Sequence, residues 1–177
     1  PDHIGCGLSD KPQKYNYTLS RHIDNLERLV KKLQLKNITL VMHDWGGAIG
    51  MGFAIRHPEK IKRLILFNTS AFLSNRVPFS INICRYPVIG LIAIRIFNAF
   101  VKVSIYRAFK NKEKITEEVK AGYLAPYNSF KNRIANLRFV QDIPMTKSSQ
   151  SYSIVKDMQE KLELFKSHPA LIIWGKK

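Results

Sequence analysis

Ile38-Thr39-Leu40-Val41-Met42-His43-Asp44-Trp45-Gly46-Gly47 is the stretch on which the fold turns. Its first five residues are short and almost wholly apolar, the pattern of a strand buried on both faces in a parallel sheet. Asp44 to Gly47 reads as a turn. A helix is expected from about Ala48 to Arg56. It should stop at His57-Pro58, because the residue before a proline is pushed out of the α region. A second apolar run, Leu64-Ile65-Leu66-Phe67, follows as another strand. Strand, helix and strand in that order make a βαβ crossover, and hence a parallel sheet.

Outward from this unit, residues 1–12 read as a loop, with Gly5, Gly7 and Pro12 as breakers. Thr18 or Ser20 can cap a helix running to about Leu33. Its apolar positions Ile23, Leu26, Leu29, Val30 and Leu33 make a helical stripe. From Phe72 to about Gln150, helical stripes alternate with prolines at 78, 87, 126 and 144, and no β-rich run intervenes. Ser151 to Ser167 reads as a further helix, and Ala170 to Trp174 as a third buried strand. The expected organisation is therefore a core over 1–71, a helical cap or lid over 72–150, and a return to the core over 151–177.

At 45% hydrophobic and 24% charged residues, the 177-residue chain has the composition of a globular domain and not of a disordered one. Two cysteines, Cys6 and Cys84, make neither a disulfide framework nor a metal-ligand spacing, so a reducing cytoplasm is expected. The net charge of +16 raises nucleic acid as a partner. Between Phe72 and Gln150 there are 13 Lys and Arg against 4 Asp and Glu. No zinc finger, aromatic RNA-binding motif or helix-turn-helix pattern accompanies them, so a solvated basic surface is expected and no nucleic-acid binding. The uncharged apolar stretch from Tyr86 to Ile94 is too short to span a bilayer.

Asp44 sits where an apolar strand meets a helix start. The free N–H groups and positive dipole end of that helix favour its ionised form. The glycines beyond it allow tight backbone geometry and close approach of a substrate. A carboxylate so placed can be the nucleophile of a strand–turn–helix elbow. It can also be an ordinary N-cap aspartate. A cap alone requires neither Trp45 nor the double glycine.

With these residues in view, Val41 to Gly47 resembles the elbow of haloalkane dehalogenases and related epoxide hydrolases. Asp2-His3-Ile4-Gly5-Cys6-Gly7-Leu8-Ser9-Asp10-Lys11-Pro12 resembles the loop after the fourth strand of the same α/β-hydrolase superfamily. Three further segments, Leu66 to Phe72, Gly122 to Tyr127 and Arg138 to Pro144, make the chain similar to the cis-β-lactone decarboxylases of bacterial olefin biosynthesis. The resemblance implies an α/β-hydrolase fold: a mostly parallel sheet flanked by helices, with a helical lid after its sixth strand. It implies Asp44 as nucleophile. It also implies a histidine base, a second acid and an early His-Gly-Asn-Pro loop, none of which has a matching position. These would precede Pro1 or follow Lys177, so a fragment is expected, inactive by itself.

Trp45 is a candidate for oxyanion or leaving-group stabilisation, through its backbone and indole N–H groups. His43 is a candidate support beneath the nucleophile. His22, His57 and His168 look like ordinary boundary or core residues and not the base. Tyr123, Tyr127 and Phe139 are candidates for substrate binding, within an apolar lid that suits alkyl chains. The stripe Ile89, Ile92, Ala93, Ile96, Phe97 and Phe100, with Arg95 and Lys102 off it, suits either a membrane surface or packing on the core.

The expected activity is opening of a long-chain cis-β-lactone by Asp44, at the carbonyl or at the β-carbon, with loss of carbon dioxide and formation of a cis-alkene. No cofactor or metal is implied. The expected partners are a hydrophobic small molecule and other enzymes of olefin biosynthesis. The alternatives are haloalkane dehalogenation, epoxide hydrolysis with Tyr123 or Tyr127 assisting, and a non-catalytic basic binding module.

Overall fold

The computed structural model describes residues 1–74 and 76–175. It divides into two compact units. One comprises Thr18–Asn75 and Asp142–Lys177, the other Pro1–Tyr17 and Arg76–Gln141. The sequence reading groups 1–71 together, whereas the contacts place Pro1–Tyr17 with the helical segment.

The first unit holds the sheet. Helix α1 (Leu19–Lys32) starts at Thr18, whose hydroxyl accepts from Arg21 N–H. Asp142 reinforces that start: one carboxylate oxygen accepts from Leu19 N–H at 2.8 Å and from the Ser151 hydroxyl at 2.7 Å. Strand β1 (Ile38–Asp44) leads directly into α2 (Trp45–Arg56), and β2 (Ile61–Thr69) follows. After the other unit the chain returns through α8 (Tyr152–Lys161) to β3 (Ala170–Ile173). The sheet is parallel, in the order β1-β2-β3. The βαβ crossover is thus present. Both strands of it are longer than their apolar runs, because ladder pairing includes Thr39, His43 and Thr69 regardless of polarity.

Helix α2 is buried along most of its length, from Gly47 to Ala54. Its glycines explain how it packs. A Cβ at Gly50 would strike the Met42 side chain of β1. One at Gly52 would strike Ile23 of α1 and lie 3.2 Å from Met158 of α8. The helix is held between the sheet on one side and α1 with α8 on the other. Only Met42 of β1 is fully buried, while Val41 is 64% exposed and β3 is exposed throughout. This corrects the expectation of strands buried on both faces: in the described residues, helices cover one face only, and β1 and β3 are the sheet's edges.

The second unit is helical, with α3 (Phe79–Cys84), α4 (Pro87–Gly90), a π-helical turn (Leu91–Ile96), α5 (Ala99–Ala108), α6 (Glu117–Leu124) and α7 (Ile134–Gln141). Small apolar clusters hold it, around Tyr17 and Ala135, Ile94 and Leu137, and Val101 and Ile105. The loop over residues 1–12 closes on itself. Asp2 accepts from Leu8 N–H, and the Lys11 amine donates to the carbonyls of Gly7 and Ser9. Gly5, at φ 91°, lies against Ala135 and Tyr17, where no side chain fits. This glycine loop is a structural device. Some of the basic charge is structural too: Arg133 donates to the carbonyls of Tyr127, Arg95 and Ile96, and the Arg95 guanidinium lies 3.9 Å above the Phe130 ring. Among the described residues no single helix is long and apolar enough to cross a membrane.

Candidate active site

The three strands run in one direction, so Asp44, Thr69 and Gly175 all lie at the carboxyl end of the sheet. In open α/β sheets that end is where ligands bind. There the ladder is irregular. His43 pairs with Phe67, but Asp44 pairs with Thr69, leaving Asn68 as an extra residue with φ 31°. Such a bulge re-aims the strand end. The Asn68 side-chain oxygen then accepts from Gly175 N–H at 3.1 Å, joining the ends of β2 and β3.

Asp44 is the N-cap of α2, and the two readings of it can be separated by geometry. An ordinary cap residue has extended backbone and accepts from the second or third helical N–H. Thr18 and Thr116 do this, with φ/ψ of −125°/155° and −69°/168°, each accepting from the third. Asp44 instead has φ 49° and ψ −130°, and its carboxylate accepts from the first helical N–H, that of Trp45, at 2.6 Å. A non-glycine residue held at such a backbone costs about 1–3 kcal/mol and concentrates at functional sites. The carboxylate is exposed at the tip of a sharp strand-to-helix turn.

Two neighbours brace this turn. The Thr69 hydroxyl donates to the Asp44 carbonyl at 2.5 Å. Thr69 also occupies the space beside Gly47, where an added Cβ would come within 2.8 Å of its Cβ and Cγ2. Gly46, by contrast, has nothing within 4 Å of where its Cβ would be. The two glycines therefore do different things: Gly47 lets α2 approach β2, and Gly46 leaves the approach to Asp44 open. Thr69 had no role in the sequence reading. Its signal is only its place two residues beyond the apolar run of a strand parallel to β1, and the bulge at Asn68 hides even that register.

A tight strand-to-helix turn with the nucleophile candidate at positive φ is the nucleophile elbow of one fold, and a model of the α/β-hydrolase fold matches residues 1–90. The chain belongs to the α/β-hydrolase-fold family. Over 99% of its length it is 48% identical to a cis-3-alkyl-4-alkyloxetan-2-one decarboxylase of Shewanella oneidensis, covering 57% of that protein. It is 40% identical to one of Xanthomonas campestris, again over 99% of this chain and 61% of the relative. Among solved structures, an ancestral haloalkane dehalogenase superposes with a TM-score of 0.87 at 27% identity, over 99% of this chain and 63% of that one. The chain thus spans about three-fifths of the length of the relatives it matches.

Within this α/β-hydrolase chain, Asp44, Trp45 and His43 come together at the elbow. His43 is exposed and pairs in register with Phe67. The three histidines weighed as a base are placed elsewhere in the same unit. His22 is buried in α1. His57 ends α2, with Nε2 2.9 Å from Glu27 Oε1 and its ring on Phe53. His168 lies ahead of β3, at the opposite end of the sheet from Asp44, beside Phe165. Tyr123, Tyr127 and Phe139 belong to the helical unit. Tyr123 is half exposed and meets Phe109 edge-on. Tyr127 accepts from Gly7 N–H, and burial pushes its hydroxyl pKa up. Phe139 packs on the cluster around Tyr17 and Ala135. Among the described residues no group of three or more His, Cys, Asp or Glu could hold a metal ion.

Proposed function

We propose that this chain carries the nucleophile elbow and cap helices of an enzyme that converts cis-3,4-dialkyl-oxetan-2-ones into cis-alkenes and carbon dioxide, with Asp44 as the nucleophile. The observation that supports it most is the combination of Asp44's elbow backbone with 48% identity to a relative named for that reaction. The chemistry balances without water if Asp44 attacks the β-carbon, the alkyl-bearing ring carbon bonded to the ring oxygen. That C–O bond breaks with inversion, releasing a carboxylate on the neighbouring carbon and leaving an ester to Asp44. The bond to that carboxylate then breaks. Its electron pair forms the double bond, carbon dioxide leaves, and Asp44 departs as a carboxylate. Inversion followed by anti departure keeps the cis arrangement of the two alkyl chains. Trp45 N–H, already on the Asp44 carboxylate, stabilises it as it re-forms. His43 remains the proposed support.

The test uses the full-length protein with a long-chain cis-β-lactone, following alkene by gas chromatography, beside a 1-haloalkane followed by halide release. Alkene formation that disappears in Asp44→Asn is the expected result. Faster halide release than alkene formation would make it a dehalogenase instead.

For partners, α5 supplies a specific observation. Its exposed arc places Tyr106 and Val103 between Lys102 and Arg107, so apolar side chains are flanked by cations, the pattern of a helix resting on an anionic bilayer. We propose such contact as the route by which a water-insoluble substrate arrives, on the cytoplasmic side. Co-sedimentation with phosphatidylglycerol vesicles that is lost in Tyr106→Glu is the expected result. Equal recovery with and without vesicles argues against it.

A further inference from the structure

We propose that Thr69 is a positioning residue for the Asp44 nucleophile. This rests on the reading of Asp44 given above, and adds to it the residue that fixes the carboxylate's direction.

Asp44 is joined to the sheet at its carbonyl and to the helix through its carboxylate. Asp44 ends the β1 ladder and caps α2, and neither regular structure dictates φ 49° and ψ −130°. Thr69 supplies a fixed partner there. Its hydroxyl donates at 2.5 Å to the carbonyl of the strained residue itself. The same side chain, hydroxyl, Cβ and Cγ2 together, abuts Gly47, three residues further along. One side chain therefore holds both the carbonyl side of the elbow and the first turn of α2, and the Asp44 Cα–Cβ bond springs from the atom next to that carbonyl. The bulge is what brings it there. Without the bulge, regular pairing would continue one for one, and Asn68 in place of Thr69 would face Asp44. Serine, threonine or another small hydroxyl donor is required at this position; a valine fills the same volume but cannot donate.

That last contrast makes the test. A packing role predicts that Thr69→Val, which conserves shape, is harmless and that Thr69→Ser, which loses the methyl, is worse. The hydrogen-bond role predicts the reverse. In the full-length enzyme with a long-chain cis-β-lactone, Thr69→Val should lower kcat roughly ten- to a hundredfold, the scale of a small misplacement of the attacking group, with KM within about twofold. Thr69→Ser should retain kcat within about threefold. Thermal melts of both establish that they fold. If Thr69→Val does not fold, Thr69→Ala, which also lacks the hydroxyl, is compared with Thr69→Ser in its place. Valine equal to wild type, or serine worse than valine, overturns the proposal. A wild-type enzyme that makes no alkene, or an Asp44→Asn variant that still does, overturns the underlying reading instead, and is seen before any Thr69 variant is assayed.

Discussion

Asp44 and His57 stand at opposite ends of the same helix. Because α2 has 12 residues between them, they are about 20 Å apart. His57 is engaged with Glu27, which also receives Arg56 at 3.0 Å. His57→Ala should therefore leave kcat for alkene formation unchanged within about twofold. The hydrogen bond from His57 holds the Glu27 carboxyl below its usual range. That contribution is present above the unfolded value and is lost as pH falls through the folded one. Both partners are partly open to solvent, which screens the pair, so it is about 0.5 kcal/mol or less, read as a slightly reduced acid limb in Tm against pH for Glu27→Gln.

Asp44→Asn should abolish alkene formation while leaving the fold intact. An amide oxygen can still accept from Trp45 N–H, and asparagine tolerates positive φ better than most residues. The loss in stability should be under about 1 kcal/mol, measured by thermal melting, with turnover down by at least about 10³-fold. Equal turnover in the variant, after mass spectrometry excludes reversion to aspartate, would leave Asp44 as a cap only.

Gly46→Ala and Gly47→Ala should part company. At Gly46 the new methyl meets nothing, and alanine's higher helix propensity should raise stability by up to about 1 kcal/mol. At Gly47 the methyl runs into Thr69, and overpacking of this kind costs roughly 1–3 kcal/mol. Thr69→Gly in the same chain should restore part of it. Denaturant midpoints of the four proteins measure the coupling, and purely additive effects would disprove the contact.

Burial raises the pKa of Asp142 above the usual aspartate range. The fold thus favours its protonated form. That contribution is complete below the unfolded value of about 3.9 and is lost as pH rises through the folded value. Both of its hydrogen bonds fall on one oxygen, which an asparagine oxygen can replace. Asp142→Asn should therefore match or exceed the wild type in Tm at pH 7 and lose the decline on going from pH 4 upward. A variant much less stable at pH 7 would show that the ionised carboxylate is needed.

Much of this was legible in the sequence. Apolar runs at Ile38–Met42 and Leu64–Phe67, separated by a helix-length segment ending at Pro58, suffice for the crossover, because each signal is local. Thr18 was readable as a cap for the same reason. Burial was not readable: Leu171 and Ile172 have the composition of a covered strand, yet they are exposed, since covering depends on what lies across the sheet and not on the residues themselves. Asp44 was legible as a residue of interest, but its decisive property, a backbone at φ 49°, is a three-dimensional quantity. Thr69, Gly50 and Gly52 were missed because their roles exist only in pairs with residues tens of positions away, or with side chains on other elements.

The order β1-β2-β3 leaves, among the described residues, an outer strand on each side of the sheet. A particle with one adhesive edge dimerises and stops. One with two, facing opposite ways, is a bifunctional monomer, and its association is chain growth. Each addition removes one open edge and presents another. Light scattering from residues 1–177 should accordingly rise without a plateau at dimer mass. A short peptide pairing with either strand should act as a chain stopper at substoichiometric amounts.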